Sequence, residues 1–347
     1  MKVKNSVLLV LLILLVVVSI CVTSGIGAVS ISFPEVFDII GYKLGIVSEN
    51  AIDQRIAAVW TNIRFPRVLL SVLVGGALSY SGATMQGLFR NPLADPSIIG
   101  ISLGAAAMAA ITIVIIAPLM QAYQFFGLSI LSVTTFVGAA GVALFIYRIA
   151  RTNGKTSVST MLLAGIAINA ISGAITGILT YMADESQLRD LTFWTLGSLG
   201  GANYTNVIIV AIALTIALVM LLPETKSFNA LALGEQEAKL IGTNTEKLKN
   251  KVIFTTALIV GVSVAFTGMI GFVGLVIPHI IRLAGGSDHR FVLPASLLGG
   301  ALLLNVGDTI ARTVIAPTEL PIGIITSVVG APTFLMLLLH RKKTLGI

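Results

Sequence analysis

Runs of twenty or more apolar residues recur along this chain, each long enough to cross a hydrocarbon core of about 30 Å. In lipid, backbone N–H and C=O groups must find partners within their own segment, so each run is expected to be a helix. Ten segments can be read, at about 6–26, 64–86, 94–117, 125–147, 157–181, 204–223, 252–269, 272–285, 292–313 and 321–340. The chain is 56% hydrophobic and only 11% charged, against about 25% charged for a soluble domain. That is too little charge to cover a water-soluble core. The expectation is an all-α integral membrane protein of about ten transmembrane helices, a single domain over 1–347.

The N-terminal run after Lys2 and Lys4 resembles a signal peptide, but it is long and further spans follow, so it is read as a first transmembrane helix. Cys21 follows Ile20 rather than the small residue that a lipoprotein site requires, and a lone cysteine permits neither a disulfide within the chain nor a thiolate metal site. The stretch from Val252 to Ala284 is too long for one pass. Crossing twice, with a turn near Thr267–Gly274, puts Arg341, Lys342 and Lys343 on the side of Lys2 and Lys4, as the positive-inside rule prefers. Both termini are then cytoplasmic, and the 22 Lys and Arg divide into 16 inside and 6 outside. The outer set is Lys43, Arg55, Arg64, Arg67, Arg189 and Arg312. The net charge of +7 therefore reflects membrane topology, not nucleic-acid binding. Segments two to five and seven to ten run in opposite senses, as an inverted repeat would.

Arg64 and Arg67 flank Pro66, which fits the first turn of a helix. The second segment is expected to start there, with both cations at the rim. It then carries Ser71, Gly75, Ser79, Ala83 and Gly87 at every fourth position, and the fifth segment carries Gly165, Asn169, Gly173 and Gly177. Such stripes let helices approach closely, either as ordinary packing or as the lining of a pathway between subunits. Asn305, Asp308 and Arg312 share one face of the ninth segment. A charge within a span is costly and usually meets protein or water, so Asp308 is either a structural partner or a proton-coupling group. His279, His289 and His340 are scattered, with no carboxylate or cysteine at metal-ligand spacing. No phosphate-binding loop of the type G-x-x-x-x-G-K-[ST] occurs, so ATP hydrolysis is not expected on this chain. In the longest cytoplasmic loop, 225–251, apolar Leu233, Ala238, Leu240 and Ile241 alternate with charge. An amphipathic helix lying on the membrane or docking into a partner's groove fits; Glu235 and Glu237 would be repelled by anionic headgroups, which favours the partner.

Several long motifs resemble the permease subunit of the iron-chelate, heme and vitamin B12 family of bacterial ABC importers. They are Arg64-Phe-Pro-Arg-Val-Leu, Gly82-Ala-Thr-Met-Gln-Gly-Leu-Phe-Arg-Asn-Pro-Leu-Ala-Asp-Pro, Leu233-Gly-Glu-Gln-Glu-Ala-Lys-Leu-Ile-Gly, Gly271-Phe-Val-Gly-Leu-Val-Ile-Pro-His-Ile-Ile-Arg, and Gly307-Asp-Thr-Ile-Ala-Arg with Glu319-Leu-Pro-Ile-Gly-Ile-Ile-Thr. The resemblance implies the type II ABC importer permease fold in the bacterial cytoplasmic (inner) membrane. It also implies a homodimer with the pathway at its interface and two separate cytoplasmic ATPase subunits that bind ATP and Mg. An external substrate-binding protein, periplasmic or lipid-anchored, would deliver the cargo. Matched residue by residue, Arg64, Arg67 and Arg312 would meet acidic residues on that protein; an internal ion-pair role is the alternative. Leu233, Gly234, Glu235, Glu237, Ala238, Leu240 and Gly242 would contact the ATPases. No cofactor is expected on this chain. The stretch Leu191-Thr-Phe-Trp-Thr-Leu-Gly-Ser-Leu-Gly-Gly-Ala resembles heme permeases, which leans the cargo to heme, with ferric siderophore and then cobalamin as alternatives. Phe193, Trp194 and Tyr204 also fit a membrane-interface belt. A different class, an ion-coupled secondary transporter, would depend on Asp308.

Overall fold

The computed structural model describes residues 2–27, 29–48, 52–119, 124–125 and 128–345; the side chains of Lys2, Arg341, Lys342 and Lys343, used in the topology argument, and of His340, weighed as a metal ligand, lie outside the described set. The chain is built from α1 (Lys2–Gly25), α2 (Phe33–Lys43), α3 (Gln54–Phe89), α4 (Ile101–Leu119), α5 (Ile130–Ala150), α6 (Val158–Met182) and α7 (Glu185–Leu196). There follow α8 (Tyr204–Leu221), α9 (Thr225–Leu233), α10 (Glu235–Leu240), α11 (Thr245–Thr267), α12 (Val273–Gly285), α13 (His289–Ala311) and α14 (Ile322–Leu345). Among the described residues eight helices are long and apolar enough to cross a membrane, and two shorter apolar ones, within α12 and α14, occupy the predicted eighth and tenth segments. Each of the ten predicted segments thus contains a helix, though the fourth, expected from 125, becomes helical only at Ile130, after the short strands Gln124–Phe125 and Leu128–Ser129. Between α11 and α12 the chain turns at Gly268, whose φ of 67° is left-handed, within the glycine-rich stretch expected to reverse it.

Helix α3 is the axle of the fold. Val68, Leu70, Val74, Ala77, Tyr80, Ala83 and Met85 are all fully buried. A helix apolar on every side belongs inside a bundle, and α8, α11, α12 and α13 surround this one. The stripe of Ser71, Gly75, Ser79 and Ala83 decides how close α13 comes. A Cβ on Gly75 would sit 2.3 Å from the Gly300 carbonyl oxygen, and one on Gly300 would sit 2.3 Å from the Gly75 oxygen. The two backbones therefore lock glycine against glycine. This corrects the pathway reading for that stripe: it is consumed by packing inside one chain.

The helix start expected at Pro66 is also corrected. Helix α3 begins twelve residues earlier, at Gln54 behind an Asp53 N-cap, and runs through the proline. Proline has no N–H and its ring clashes with the carbonyl four residues back. Here the turn Trp60–Arg64 is π-helical, and that wider turn admits Pro66 without breaking the helix. Trp60 stacks on Phe65 across the same turn, with ring centroids 4.7 Å apart. Two helices outside the ten segments, α2 and α7, each open on a capping box, Ser32 with Glu35 and Asp184 with Gln187.

Candidate functional site

Two polar networks stand at opposite ends of α3, one around Arg67 and one beside Phe89 and Arg90, which border a hollow with Glu235 and Lys249; from Arg67 to Arg90 the helix rises about 35 Å at 1.5 Å per residue. At the first end, Arg67 donates from Nε and Nη2 to the Asp308 carboxylate, at 3.1, 3.0 and 2.8 Å. Its Nη1 reaches both oxygens of Glu319 at 2.8 Å. The planar guanidinium spans two carboxylates at once, the geometry in which arginine is strongest. Arg312 Nε lies 3.8 Å from Asp308, an ion pair too long to be a hydrogen bond; its Nη2 donates to the Thr23 carbonyl at 2.7 Å. Arg64 donates to the Gly25 carbonyl at 2.9 Å and to that of Val29. Below the charges, Asn305 accepts from Thr23 and Ser71, both at 3.1 Å, and donates to Ser19 at 3.0 Å. The network thereby ties α1, α3 and α13 together.

These bonds correct the expectation of cations displayed at a rim. Arg64, Arg67 and Arg312 are each no more than 7% exposed. A buried cation needs a partner: Arg67 and Arg312 lie in ion pairs with carboxylates of the same chain, as the internal ion-pair alternative expects, whereas Arg64 is bonded to the backbone carbonyls of Gly25 and Val29. Three arginines face two carboxylates, so the cluster keeps a net charge of +1. Asp308 is bound by Arg67 and Arg312 rather than open to a proton pathway. Glu319, whose side chain is 45% exposed, had no visible partner in the sequence because 252 residues separate it from Arg67.

At the second end the predicted amphipathic helix is two short helices, α9 and α10, broken at Gly234. That residue holds φ 140° and ψ 154°, and a Cβ there would lie 1.8 Å from a Glu237 carboxylate oxygen. The break splits the expected apolar face: Ala238 is buried, whereas Leu233, Leu240 and Ile241 are 71%, 86% and 65% exposed. Gly242, with φ 86°, ends the unit. Lys249, itself buried, fastens it to the bundle, donating to Glu235 at 2.9 Å, to Glu246 at 2.8 Å and to the Thr156 carbonyl at 3.0 Å. Lys239 adds a second bond to Glu235 at 2.8 Å. Desolvation raises the Glu235 pKa, but the hydrogen bonds and charges of Lys239 and Lys249 outweigh it and hold the carboxyl at about 2. Thr156 lies just before Ser157, the N-cap of α6, so one lysine joins α10 to the start of that helix.

On α6, Gly165 packs against the Ile98 carbonyl, and Asn169 donates to the Ser97 carbonyl at 3.2 Å. Gly173 and Gly177 face open space, and Ile166, Ile171 and Ile178 beside them are exposed. The two halves of this stripe therefore differ: one packs, the other is free. Phe193 is half-exposed, Trp194 packs on the core, and Tyr204 donates to the Thr61 carbonyl at 2.9 Å. His289 stacks on Phe228 and its Nδ1 pairs with Asn229 at 2.9 Å. Among the described residues no group of three or more His, Cys, Asp or Glu is arranged to hold a metal ion.

Known proteins resemble this arrangement over its whole length. The FecCD transport family matches residues 11–340. The chain is 40% identical over 336 residues to the hemin transport system permease protein HmuU of Yersinia pestis, covering 96% of this chain and 95% of that one. It is 42% identical over 285 residues to the vitamin B12 import system permease protein BtuC of Salmonella typhi, covering 82% and 84%. A solved inward-facing structure of an ABC transporter, assigned to the metal-chelate type, superposes with a TM-score of 0.80 at 31% identity, covering 96% of this chain and 98% of that one.

Proposed function

The chain belongs to the FecCD transport family, the permease subunit of an ABC importer whose ATPase is a separate chain, and from that premise we propose that it carries heme or another iron chelate inward across the bacterial cytoplasmic membrane. The observation that carries this reading is the pairing of two built surfaces at opposite ends of α3. The end with Arg64, Arg67 and Arg312 faces outward and receives an external binding protein. Because these arginines are already bonded, a partner carboxylate reaches Arg67 by displacing the half-exposed Glu319 rather than by meeting a free cation. The end with α9 and α10 faces the cytoplasm, with both termini, and seats an ATPase subunit that binds ATP and Mg. Two copies of the chain pair so that the open half of the α6 stripe, Gly173 and Gly177, lines the pathway between them. Of the possible cargoes, heme is favoured by the similarity to a hemin permease over nearly the full length; ferric siderophore and cobalamin remain the alternatives. The ion-coupled reading loses its support with Asp308 held in ion pairs.

Exposed Leu240 and Leu233 are the anchors expected to enter the ATPase groove. Leu240→Glu together with Leu233→Glu removes both without touching the bundle, so the thermal midpoint of the purified chain stays within about 1 °C, as surface changes usually do. Association with the ATPase weakens by about thirtyfold or more, the usual cost of losing a central apolar anchor. Unchanged co-purification of the ATPase with the double variant contradicts the assignment.

A further inference from the structure

An apolar hollow of about 440 Å³ opens on the outer side of the bundle between α5 and α11. Phe136, Ala140, Leu144, Phe254 and Leu258 line it. Phe136 and Leu258 also line a second hollow of about 430 Å³ that continues along α11 to Phe266. From Asn250 to Phe266 the groove runs about 24 Å, more than the roughly 15 Å of one leaflet's hydrocarbon. At its head the Tyr147 hydroxyl donates to Asn250 at 3.0 Å, and Asn250 lines both the apolar hollow and a basin of about 450 Å³. That basin has the opposite character. Arg151, Lys247 and Lys251 border it, with Glu246 as its one acid.

The charges there are not equivalent. Glu246 is taken by Lys249, and Lys251 by Glu224. Among the described residues Arg151 and Lys247 form no ion pair with a carboxylate. Both are exposed, and Arg151 lies over the Tyr147 ring, 5.6 Å from its centroid, directly above the apolar groove. A cationic basin with a net charge of +2 thus sits at the mouth of an acyl-width groove on a membrane protein. Neutral hydrocarbon would fill the groove equally well under any headgroup; the exposed arginine and lysine, neither within ion-pair distance of a described carboxylate, select the headgroup.

We propose that this is a binding site for one anionic phospholipid, its phosphodiester held by Arg151 and Lys247 and an acyl chain lying along Phe136, Ala140 and Leu258. Guanidinium takes phosphate oxygens through two parallel N–H bonds, and basic pockets at the ends of membrane helices are suited to anionic headgroups. The inference does not depend on the cargo or on the direction of transport.

The test is native mass spectrometry of the full-length chain, purified in detergent and offered equal amounts of phosphatidylglycerol and phosphatidylcholine. Retention of phosphatidylglycerol is expected to exceed that of phosphatidylcholine by about thirtyfold, from two basic contacts. Arg151→Ala with Lys247→Ala brings the ratio close to one, while Lys155→Ala, a charge lost from the strand Lys155–Thr156 that pairs with Arg151–Thr152 but lies outside the basin, leaves it unchanged. Ala140→Phe fills the groove and lowers phosphatidylglycerol retention without altering charge. Inorganic phosphate and glycerophosphoglycerol, which lack acyl chains, fail to displace the lipid. Equal retention of the two lipids, the same loss with Lys155→Ala, no effect of Ala140→Phe, or displacement by inorganic phosphate would each overturn the proposal.

Discussion

Arg67→Ala is expected to cost about 3–5 kcal/mol, the usual consequence of removing one partner from a buried ion pair. Asp308, 1% exposed, would be left with only the longer contact to Arg312. Against a total stability of about 5–15 kcal/mol, that loss shows as a large fall in the detergent-solubilised thermal midpoint and in the amount of chain inserted in membranes. Arg67→Glu is worse, because it places a third carboxylate beside Asp308 and Glu319. The double change Arg67→Leu with Asp308→Leu restores much of the midpoint, since replacing both members of a buried pair by apolar groups is often neutral. An Arg67→Ala chain as stable as the parent contradicts the buried network.

Lys249→Met separates transport from folding. The methionine fills the same space, and the two carboxylates it abandons can recover water, since Glu235 and Glu246 are 35% and 25% exposed. Glu235 keeps Lys239, and Glu246 keeps the Thr156 amide at 2.8 Å. What is lost is the connection from α10 through Lys249 to the Thr156 carbonyl at the head of α6. If the ATPase moves α10 and α6 borders the pathway, uptake falls by about tenfold or more while ATP hydrolysis by the assembled importer continues, a change of roughly 1.4 kcal/mol in coupling. Uptake per ATP equal to that of the parent would show that the lysine is only a structural tie.

Hydropathy made the helices legible because the bilayer leaves the backbone one open-chain solution. The turn near Gly268 followed instead from the distribution of Lys and Arg, which required the stretch from Val252 to Ala284 to cross twice. Pro66 misled for a definite reason: proline is most at home in a first helical turn, and nothing in the residues Trp60–Arg64 announces the π-helical turn that lets α3 continue through it. Arg64, Arg67 and Arg312 were found as functional candidates by type and position, but their partners were not. Glu319 and the carbonyls of Gly25 and Thr23 come close only in three dimensions. The coupling region was recognised by its mixed pattern, but the place of its break shows only in the backbone at Gly234. The small-residue stripes looked alike in sequence. Gly300 meets one of them and open space meets the lower half of the other. Helices α2 and α7 carried readable signals in Ser32–Glu35 and Asp184–Gln187, both capping boxes.

The central claim is inward transport powered by a separate ATPase at the α10 end of the chain. Reconstitution in liposomes tests it directly, with the permease, its ATPase and the external binding protein loaded in turn with heme, ferric siderophore and cobalamin. The account predicts accumulation of heme or another iron chelate away from the binding-protein side, only when ATP is present on the side of α9 and α10. Accumulation that persists without the ATPase, or that follows an imposed proton gradient instead of ATP, would contradict it.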